Sequence, residues 1–309
     1  MTMKSLRQRL LSQARPFSYS TMCAEASRQG VDGAIRRGEI VRVLPGFYAA
    51  AVYAESWAVR ARAAVSWAGP AAVIAGTSAL FAWEATGRVP DTVDLVLPHG
   101  SHRRPPRWLR IATVTYAVPH GLWQGDLPVA LPAYAVAQAY GRARPGDRAD
   151  IVFAAFRSGK VSAASMGQAL ARMPRVRARA SLVARVAYAA DGVESYLEER
   201  GLRDVFAGST FDHLLRQHRL VVEGRRFRVD VFDPVTSTAF ELDGAVAHGS
   251  LEQRQADVER DGLLAGLGIL TVRFTYRDVM DRPAWCRVLA LRVLAERGGA
   301  QVVTRAEGA

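Results

Sequence analysis

The 309-residue sequence has very little cysteine and almost no lysine. Its two cysteines, Cys23 and Cys286, lie far apart without ligand spacing, which excludes a disulfide framework and a cysteine-based metal site. A reducing compartment, the cytoplasm, is therefore expected. Lys4 and Lys160 are the only lysines, so arginine supplies nearly all the base behind a formal net charge of +12. Arginine suits phosphate and base edges, and DNA is the first partner to consider; the alternative is a general bias towards arginine.

Long hydrophobic runs are also missing. The uncharged run between Arg62 and Glu84 is interrupted by Gly69, Pro70 and Gly76, which favours two buried helices meeting at a turn over a membrane span. The first residues, MTMKSLRQRLL, are charged and have no apolar core of a signal peptide. We therefore expect neither a secretory signal nor a membrane partner.

The first 57 residues predict two helices and a hairpin. The second helix is expected over residues 31–37 with Asp32 as its cap, and the hairpin is expected to turn at Pro45 and Gly46. Two helices in a helix-turn-helix followed by a β-hairpin is the winged-helix arrangement.

Basic residues fall on the second helix and the hairpin of this segment. The candidates for DNA contacts are Arg28, Arg36, Arg37 and Arg42, since a recognition helix needs a basic face; a solvated helix face is the alternative. The stretch TMCAEASRQGVDGAIRRGEIVRVLPGFYA resembles the N-terminal winged helix of the abortive-infection type IV antitoxins. That resemblance implies DNA binding, and it allows a homodimer and a cognate toxin or neighbouring-gene product as partners.

Residues 58–185 predict an α/β segment. They contain an alanine-rich helical part, the strand-like runs TVDLVLP and RIATVTYAV, further helical patterns, and a basic stretch, ARMPRVRARAS, interpreted as a linker. The segment is similar to the domain that follows this winged helix in actinobacterial relatives, which implies no particular chemistry. A loose nucleotidyltransferase-like pattern, GTS followed by Asp91 and Asp94, is rejected because aspartates three apart in one strand face opposite sides.

Two alternating runs, RRFRVDVF and AFELD, predict strands with one buried face each. If residues 234–237 form the loop between them, Asp233 faces Thr238, and the apolar side chains on the two strands also face one another. The same register places Asp230 opposite Glu241 and Arg228 opposite Asp243.

Facing carboxylates need something to offset their repulsion. Two such charges at about 4 Å repel by roughly 4 kcal/mol at an effective dielectric near 20, so a raised pKa, an arginine or a divalent cation is required. Asp230 and Glu241 suit Mg²⁺, which prefers carboxylates together with water and phosphate. An ion pair between Arg228 and Asp243 is the structural alternative.

Two further residues extend the predicted site. His248 follows Asp243 closely enough to act as a general base on water. Glu194, on a predicted helix capped by Asp191, is expected to help hold the metal, and Glu198 one turn later on the same face is an alternative ligand. Helix capping is the structural alternative for Glu194. Asp257, Arg260, Asp261 and Arg273 are also placed near the site, although surface ion pairs explain the three helical residues equally well.

The motifs VES, RVDVFDP, AFELDGAVAHG and QADVERDGLLAGLGILTVRFTYRDVM resemble the PD-(D/E)xK nuclease superfamily, and within it a family of unknown function grouped with the very-short-patch repair endonucleases. The resemblance implies a restriction-endonuclease-like core, Mg²⁺ or Mn²⁺, and hydrolysis of DNA phosphodiester bonds. Asp230 and Glu241 match the metal-binding acids and His248 matches a histidine base. Asp243 stands where most members have a catalytic lysine, and the zinc-binding cysteines of the repair enzymes are absent.

The sequence thus predicts a multidomain α+β protein: a winged helix over 1–57, an antitoxin-like α/β domain over 58–185, and a restriction-endonuclease-like α/β/α core over 186–309. The predicted function is DNA binding with a Mg-dependent endonuclease. The alternative is a non-catalytic transcriptional regulator or antitoxin of a type IV toxin–antitoxin system. The predicted catalytic residues are Asp230, Glu241, Asp243, His248 and Glu194; the predicted DNA contacts of the last domain are Arg225, Arg226 and Arg228.

Overall fold

The computed structural model describes residues 3–100, 103–173, 175–244 and 251–306, with side chains given for residues 255–298 of the last range. The chain is mixed α+β and divides into two compact units, Met1–Ala187 and Tyr188–Ala309. Within the described residues no helix is both long and apolar enough to cross a membrane. The division between the first two predicted domains, near residue 57, lies inside the first unit and stays a prediction.

The first unit begins with three helices and a small sheet of order β1-β3-β2. These elements are α1 Met3–Ser12, β1 Phe17–Ser18, α2 Tyr19–Glu25, α3 Arg28–Arg36, β2 Ile40–Leu44 and β3 Phe47–Ala50. The predicted hairpin about Pro45 and Gly46 is confirmed. The predicted cap was wrong: Ser27, whose side chain accepts from the backbone N–H of Gly30, caps α3 one turn earlier than Asp32. Serine is as good a cap as aspartate, and the helix therefore begins at Arg28.

The rest of the first unit is built on a five-stranded sheet of order β6-β5-β4-β8-β7. Its elements are α4 Trp57–Ala68, β4 Val73–Ile74, α5 Gly76–Ala82, β5 Val93–Pro98, β6 Leu109–Val114, β7 His120–Trp123, β8 Leu127–Ala130, α6 Pro132–Arg142, α7 Arg148–Arg157, α8 Ala163–Arg172 and α9 Arg179–Ala190. Strands β5 and β6 lie in the two predicted runs and pair in parallel. The predicted linker was wrong at both ends, because its first two residues belong to α8 and its last three begin α9.

The second unit has a four-stranded sheet of order β12-β11-β10-β9, in which only β11 and β12 are parallel. Its elements are α10 Tyr196–Arg200, β9 Leu215–Val222, β10 Arg225–Asp233, β11 Thr238–Asp243, α11 Leu251–Gly266, β12 Leu270–Thr275, α12 Tyr276–Asp281 and α13 Pro283–Ala306. A π-helical turn, Gly201–Val205, continues α10.

The predicted register of the β10–β11 hairpin is confirmed next to the loop, whereas the predicted pairing of Asp230 with Glu241 lies beyond the paired residues. Asp233 pairs with Thr238, and Val231 pairs with Phe240. The buried Asp233 carboxylate stabilises the connecting loop, because it accepts from the backbone N–H of Val235 at 2.9 Å and from the hydroxyl of Thr236 at 2.6 Å. Aspartate often has this role in loops, where its side chain accepts hydrogen bonds from donors a few residues further along the chain.

Strand β11 is buried on both faces, not on one as predicted. Phe240 belongs to an apolar cluster with residues of α12 and α13. Its neighbour Ala239 belongs to a second cluster with Leu264 of α11. Successive residues of a strand point to opposite faces, so the central strand is covered by helices on both sides. Glu241 on this strand therefore lies in a low-dielectric environment.

Candidate functional site

The helix α3 and the β2–β3 hairpin present exposed arginines. Arg36 and Arg42 are exposed and contact no carboxylate among the residues that the structure describes. Arg37 instead donates to Glu39 at 2.9 Å, and this arginine, with Arg7, lowers the pKa of Glu39 to about 2. Arg28 is exposed and donates to a tyrosine hydroxyl. Of the four predicted DNA contacts, Arg36 and Arg42 are thus the two whose guanidinium groups are free to bind phosphate.

In the second unit, Asp230 lies on β10 at the point where the β10–β11 pairing ends. Its carboxylate accepts from the backbone N–H of Leu242 at 2.8 Å and from the side-chain amide of Gln217 at 3.3 Å. Burial is the largest cause that raises its pKa, while these donors lower it. Asp230 therefore replaces a backbone acceptor of the sheet, and both of its oxygens already have protein donors.

Glu241 lies on β11, one residue beyond the last β10–β11 pair, Val231 with Phe240, and it is 6% exposed. It forms an ion pair with Arg260 of α11, whose guanidinium also donates to the backbone carbonyl of Arg228 at 2.9 Å. Burial raises the pKa of Glu241 to about 7, opposed by the charge of Arg260. The cation that offsets the acid pair is thus an arginine.

The other predicted acids are also paired with arginine. Asp243 contacts Arg273 of β12 at 3.3 Å, and the same guanidinium donates to Asp261 of α11 at 2.9 Å. Glu194 accepts two hydrogen bonds from Arg228, at 2.7 and 2.9 Å. A two-fold guanidinium–carboxylate contact is the strong geometry for such a pair. The cross-strand pair considered for Arg228 and Asp243 is not formed, because each has found another partner.

Glu194 is not on a helix as predicted, and Asp191 caps none. Helix α10 begins at Tyr196 with Ser195 as its cap. Glu198 completes the cap, since its carboxylate accepts from the backbone N–H of Glu194 at 2.9 Å. Glu194 therefore lies outside the helix, where it pairs with Arg228.

The Mg²⁺ or Mn²⁺ site predicted around Asp230 and Glu241 stays a prediction. No group of three or more histidine, cysteine, aspartate and glutamate side chains lies together as ligands within the part of the chain that the structure describes. Asp230 and Glu241 are near enough for each charge to act on the other's pKa, yet each is already held by protein donors. The predicted base, His248, lies outside the described residues.

Of the arginines predicted to bind DNA on β10, one remains unpaired. Arg226 is exposed and has no carboxylate partner among the described side chains. Arg225 lies 3.6 Å from Glu259, with both side chains about half exposed, and Arg228 is held by Glu194. Exposed pairs of this kind are weak, so Arg225 remains available to phosphate, whereas Arg228 is engaged.

Sequence reasoning missed Gln217 on β9. Its side-chain amide donates to Glu198 at 3.0 Å and to Asp230 at 3.3 Å, joining the two acids. Burial raises the pKa of both carboxyls. An amide that donates to both of them stabilises their charged forms. The available sequence signal was the pair Glu223-Gly224. It forms the two-residue turn of the β9–β10 hairpin, and both residues have positive φ.

Glu241 should make the stability of the second unit depend on pH. Its folded-state pKa of about 7 lies above its ordinary value of 4.5, so between these values the folded chain holds a proton that the unfolded chain has lost. Stability from this group is greatest near pH 4.5 and falls as the pH rises towards 7. Relative to wild type, the unfolding free energy of Glu241→Gln is expected to rise by about 2–3 kcal/mol between pH 5 and 8.

Urea unfolding of both proteins across that range measures this difference, with hydrogen exchange over residues 225–243 as a local readout. Glu259→Gln, which alters an exposed glutamate on α11, is the matched control and should follow the wild-type curve. Parallel curves for wild type and Glu241→Gln would contradict the prediction and mean that Arg260 keeps Glu241 ionised throughout.

Comparisons with known proteins add little to this geometry. No family model matches the chain, and no curated protein matches it. A search of solved structures finds a likeness to the crystal structure of the RV2827C protein from Mycobacterium tuberculosis, with 15% sequence identity and a TM-score of 0.41, over 71% of this chain and 89% of that one. A likeness at this level carries no argument about function.

Proposed function

We propose that this protein binds DNA without cleaving it, as a transcriptional regulator or as the antitoxin of a type IV toxin–antitoxin pair. The observation that carries the proposal is the neutralisation of Glu241 by Arg260. Asp243 and Glu194 are likewise held by arginines. In each pair the arginine guanidinium places its positive charge where a metal ion would bind. The carboxylates then stabilise the fold and take no part in a reaction.

DNA binding is supported by the first unit. Arg36, at the end of α3, and Arg42, on the hairpin, are exposed and unpaired among the described residues. An exposed basic helix followed by a hairpin can supply phosphate contacts and position side chains at base edges. With a net charge of +12, electrostatic attraction to a polyanion is expected at a distance as well.

The endonuclease is the second candidate. It is favoured by Asp230 and Glu241, which lie on neighbouring strands and have raised pKa values, since strongly shifted carboxyls often mark functional sites. It requires Arg260 to leave Glu241 and a divalent cation to take its place beside the buried carboxylate. We therefore place it second.

Two assays on the purified full-length protein separate these functions. The first incubates supercoiled plasmid with the protein and Mg²⁺ or Mn²⁺, alongside Asp230→Ala. The second measures binding to duplex DNA by gel shift in EDTA. We expect binding without metal, and no nicking that distinguishes wild type from the variant. Metal-dependent nicking that is lost in Asp230→Ala would overturn the proposal and make the protein an enzyme. Loss of all DNA binding in EDTA would overturn it as well.

A further inference from the structure

A second basic site lies in the first unit, away from α3 and the hairpin. Three arginines line one cleft: Arg142 at the end of α6, and Arg175 and Arg177 on the segment between α8 and α9. Arg175 and Arg177 are exposed and contact no carboxylate among the described residues. Three guanidinium groups around one cleft repel one another unless an anion lies between them.

The backbone that follows Arg175 and Arg177 is anchored at the start of α9. Arg179 donates to the backbone carbonyls of Leu170 and Met173, at 3.0 and 2.8 Å, and so ties the start of α9 to the end of α8. Gly141 of α6 brings the segment close, since a Cβ at this position would lie 3.6 Å from the backbone nitrogen of Arg177. The two arginines are therefore presented by an anchored backbone.

The Arg142 guanidinium lies next to a buried acid. Asp94 on β5 is 3% exposed and lies 3.6 Å from the Arg142 guanidinium. One Asp94 oxygen accepts from the Thr77 hydroxyl at 2.8 Å. The other oxygen is buried and has no hydrogen-bond donor among the described residues, so the guanidinium is its counterion. One acid against three arginines leaves the cleft with an excess of positive charge.

The cleft has room for a small molecule and an apolar wall for part of it. It has a volume of about 230 Å³ and adjoins a second cavity of about 600 Å³, with which it shares Val114, Tyr116, Met173 and Arg175. Small-molecule sites typically occupy about 300–1,000 Å³ and combine apolar walls with a few convergent polar groups. Here the polar groups at the wall are the Tyr116 hydroxyl and the Gln138 amide, 3.5 Å apart.

We propose that this cleft binds a phosphorylated small molecule of nucleotide size. Arg142, Arg175 and Arg177 bind the phosphate groups, since the guanidinium fork matches phosphate oxygens. Val114, Met173 and Tyr116 contact the apolar or aromatic part of the ligand. This site is independent of the DNA-binding proposal, because its arginines and those of α3 and the hairpin are different residues.

The test measures binding of labelled ATP, GTP, CTP and UTP to the full-length protein by equilibrium dialysis, with inorganic pyrophosphate as competitor. Arg175→Gln/Arg177→Gln is compared with Arg104→Gln/Arg107→Gln, which removes the same charge from exposed arginines of the same unit. Both pairs avoid Arg142, whose loss would leave Asp94 buried without a counterion. Thermal unfolding of both double variants, expected to match wild type, shows that the fold is kept.

Saturable binding of at least one nucleotide is expected, displaced by pyrophosphate and at least tenfold weaker in Arg175→Gln/Arg177→Gln, with Arg104→Gln/Arg107→Gln within about twofold of wild type. No saturable binding at millimolar concentration would overturn the proposal. An equal loss in both double variants would also overturn it, because diffuse charge would then explain binding. If only oligonucleotides bind, the cleft contacts a nucleic-acid backbone and the small-molecule site is wrong.

Discussion

Replacing Arg260 by leucine is expected to destabilise the second unit by about 3–5 kcal/mol, because the change leaves the buried carboxylate of Glu241 without its cation. Glu241 is 6% exposed, and it cannot reach water to recover its hydration. The guanidinium also donates to the backbone carbonyl of Arg228 at 2.9 Å, so a second acceptor loses its partner. Urea unfolding at pH 8, where Glu241 is ionised, measures the cost at its largest.

A matched control is available on the same helix and its neighbouring strand. Arg225 and Glu259 form an ion pair at 3.6 Å with both side chains about half exposed, and Arg225→Leu should cost no more than about 1 kcal/mol. In Arg260→Leu/Glu241→Leu both charges are gone, and most of the lost stability should return, since replacing a whole buried pair by apolar side chains is often neutral. Equal costs for Arg260→Leu and Arg225→Leu would show that Arg260 does not neutralise Glu241, and would favour the endonuclease.

Changing Arg36 and Arg42 together to glutamine is expected to lower the affinity for duplex DNA by about ten- to a hundredfold and to reduce the salt dependence of binding by about two phosphate contacts. Both side chains are exposed and have no carboxylate partner among the described residues, so nothing in the protein competes with phosphate for them. Arg37→Gln should have a smaller effect, because Arg37 is paired with Glu39. Fluorescence anisotropy in EDTA over a series of salt concentrations gives both quantities.

The control for this pair is Arg110→Gln/Arg172→Gln, which removes the same charge from exposed arginines elsewhere in the first unit. It should lower the affinity only slightly. If both double variants weaken binding equally, the attraction comes from the net charge of the protein, and α3 with its hairpin has no special part in it.

Local patterns predicted the elements around both sites because the information they need is short-range. Two alternating runs and an Asp-Pro turn were enough to place Asp233 opposite Thr238, since a strand has a side-chain period of two and the loop length sets the register. The hairpin at Pro45 and Gly46 was predicted on the same basis. The helix cap failed at Asp32 because Ser27 offered an equally good side chain one turn earlier.

What could not be predicted is which charges meet. Arg260 was placed near the site, but with a surface ion pair equally well supported, and only the packing of α11 on the sheet brings it to Glu241. Gln217 was missed because β9 alternates poorly and is joined to Asp230 through the sheet. The arginine cleft was hidden because Arg142 is far from Arg175 and Arg177 along the chain, and the stretch that carries the latter pair was interpreted as a linker.

The sequence by itself determined the mixed α+β class, the basic charge, the β10–β11 register next to its loop, and the presence of Asp230 and Glu241 on neighbouring strands. All of these follow from composition and from side-chain periods over a few residues. Only the tertiary structure decided what neutralises those acids. Long arginine side chains reach partners on several neighbouring elements, so their choice depends on distances set by helix packing and on the cost of leaving a buried carboxylate unpaired. In the folded protein Glu241 pairs with Arg260, Asp243 with Arg273 and Glu194 with Arg228. For this reason we propose that the protein binds DNA without cleaving it.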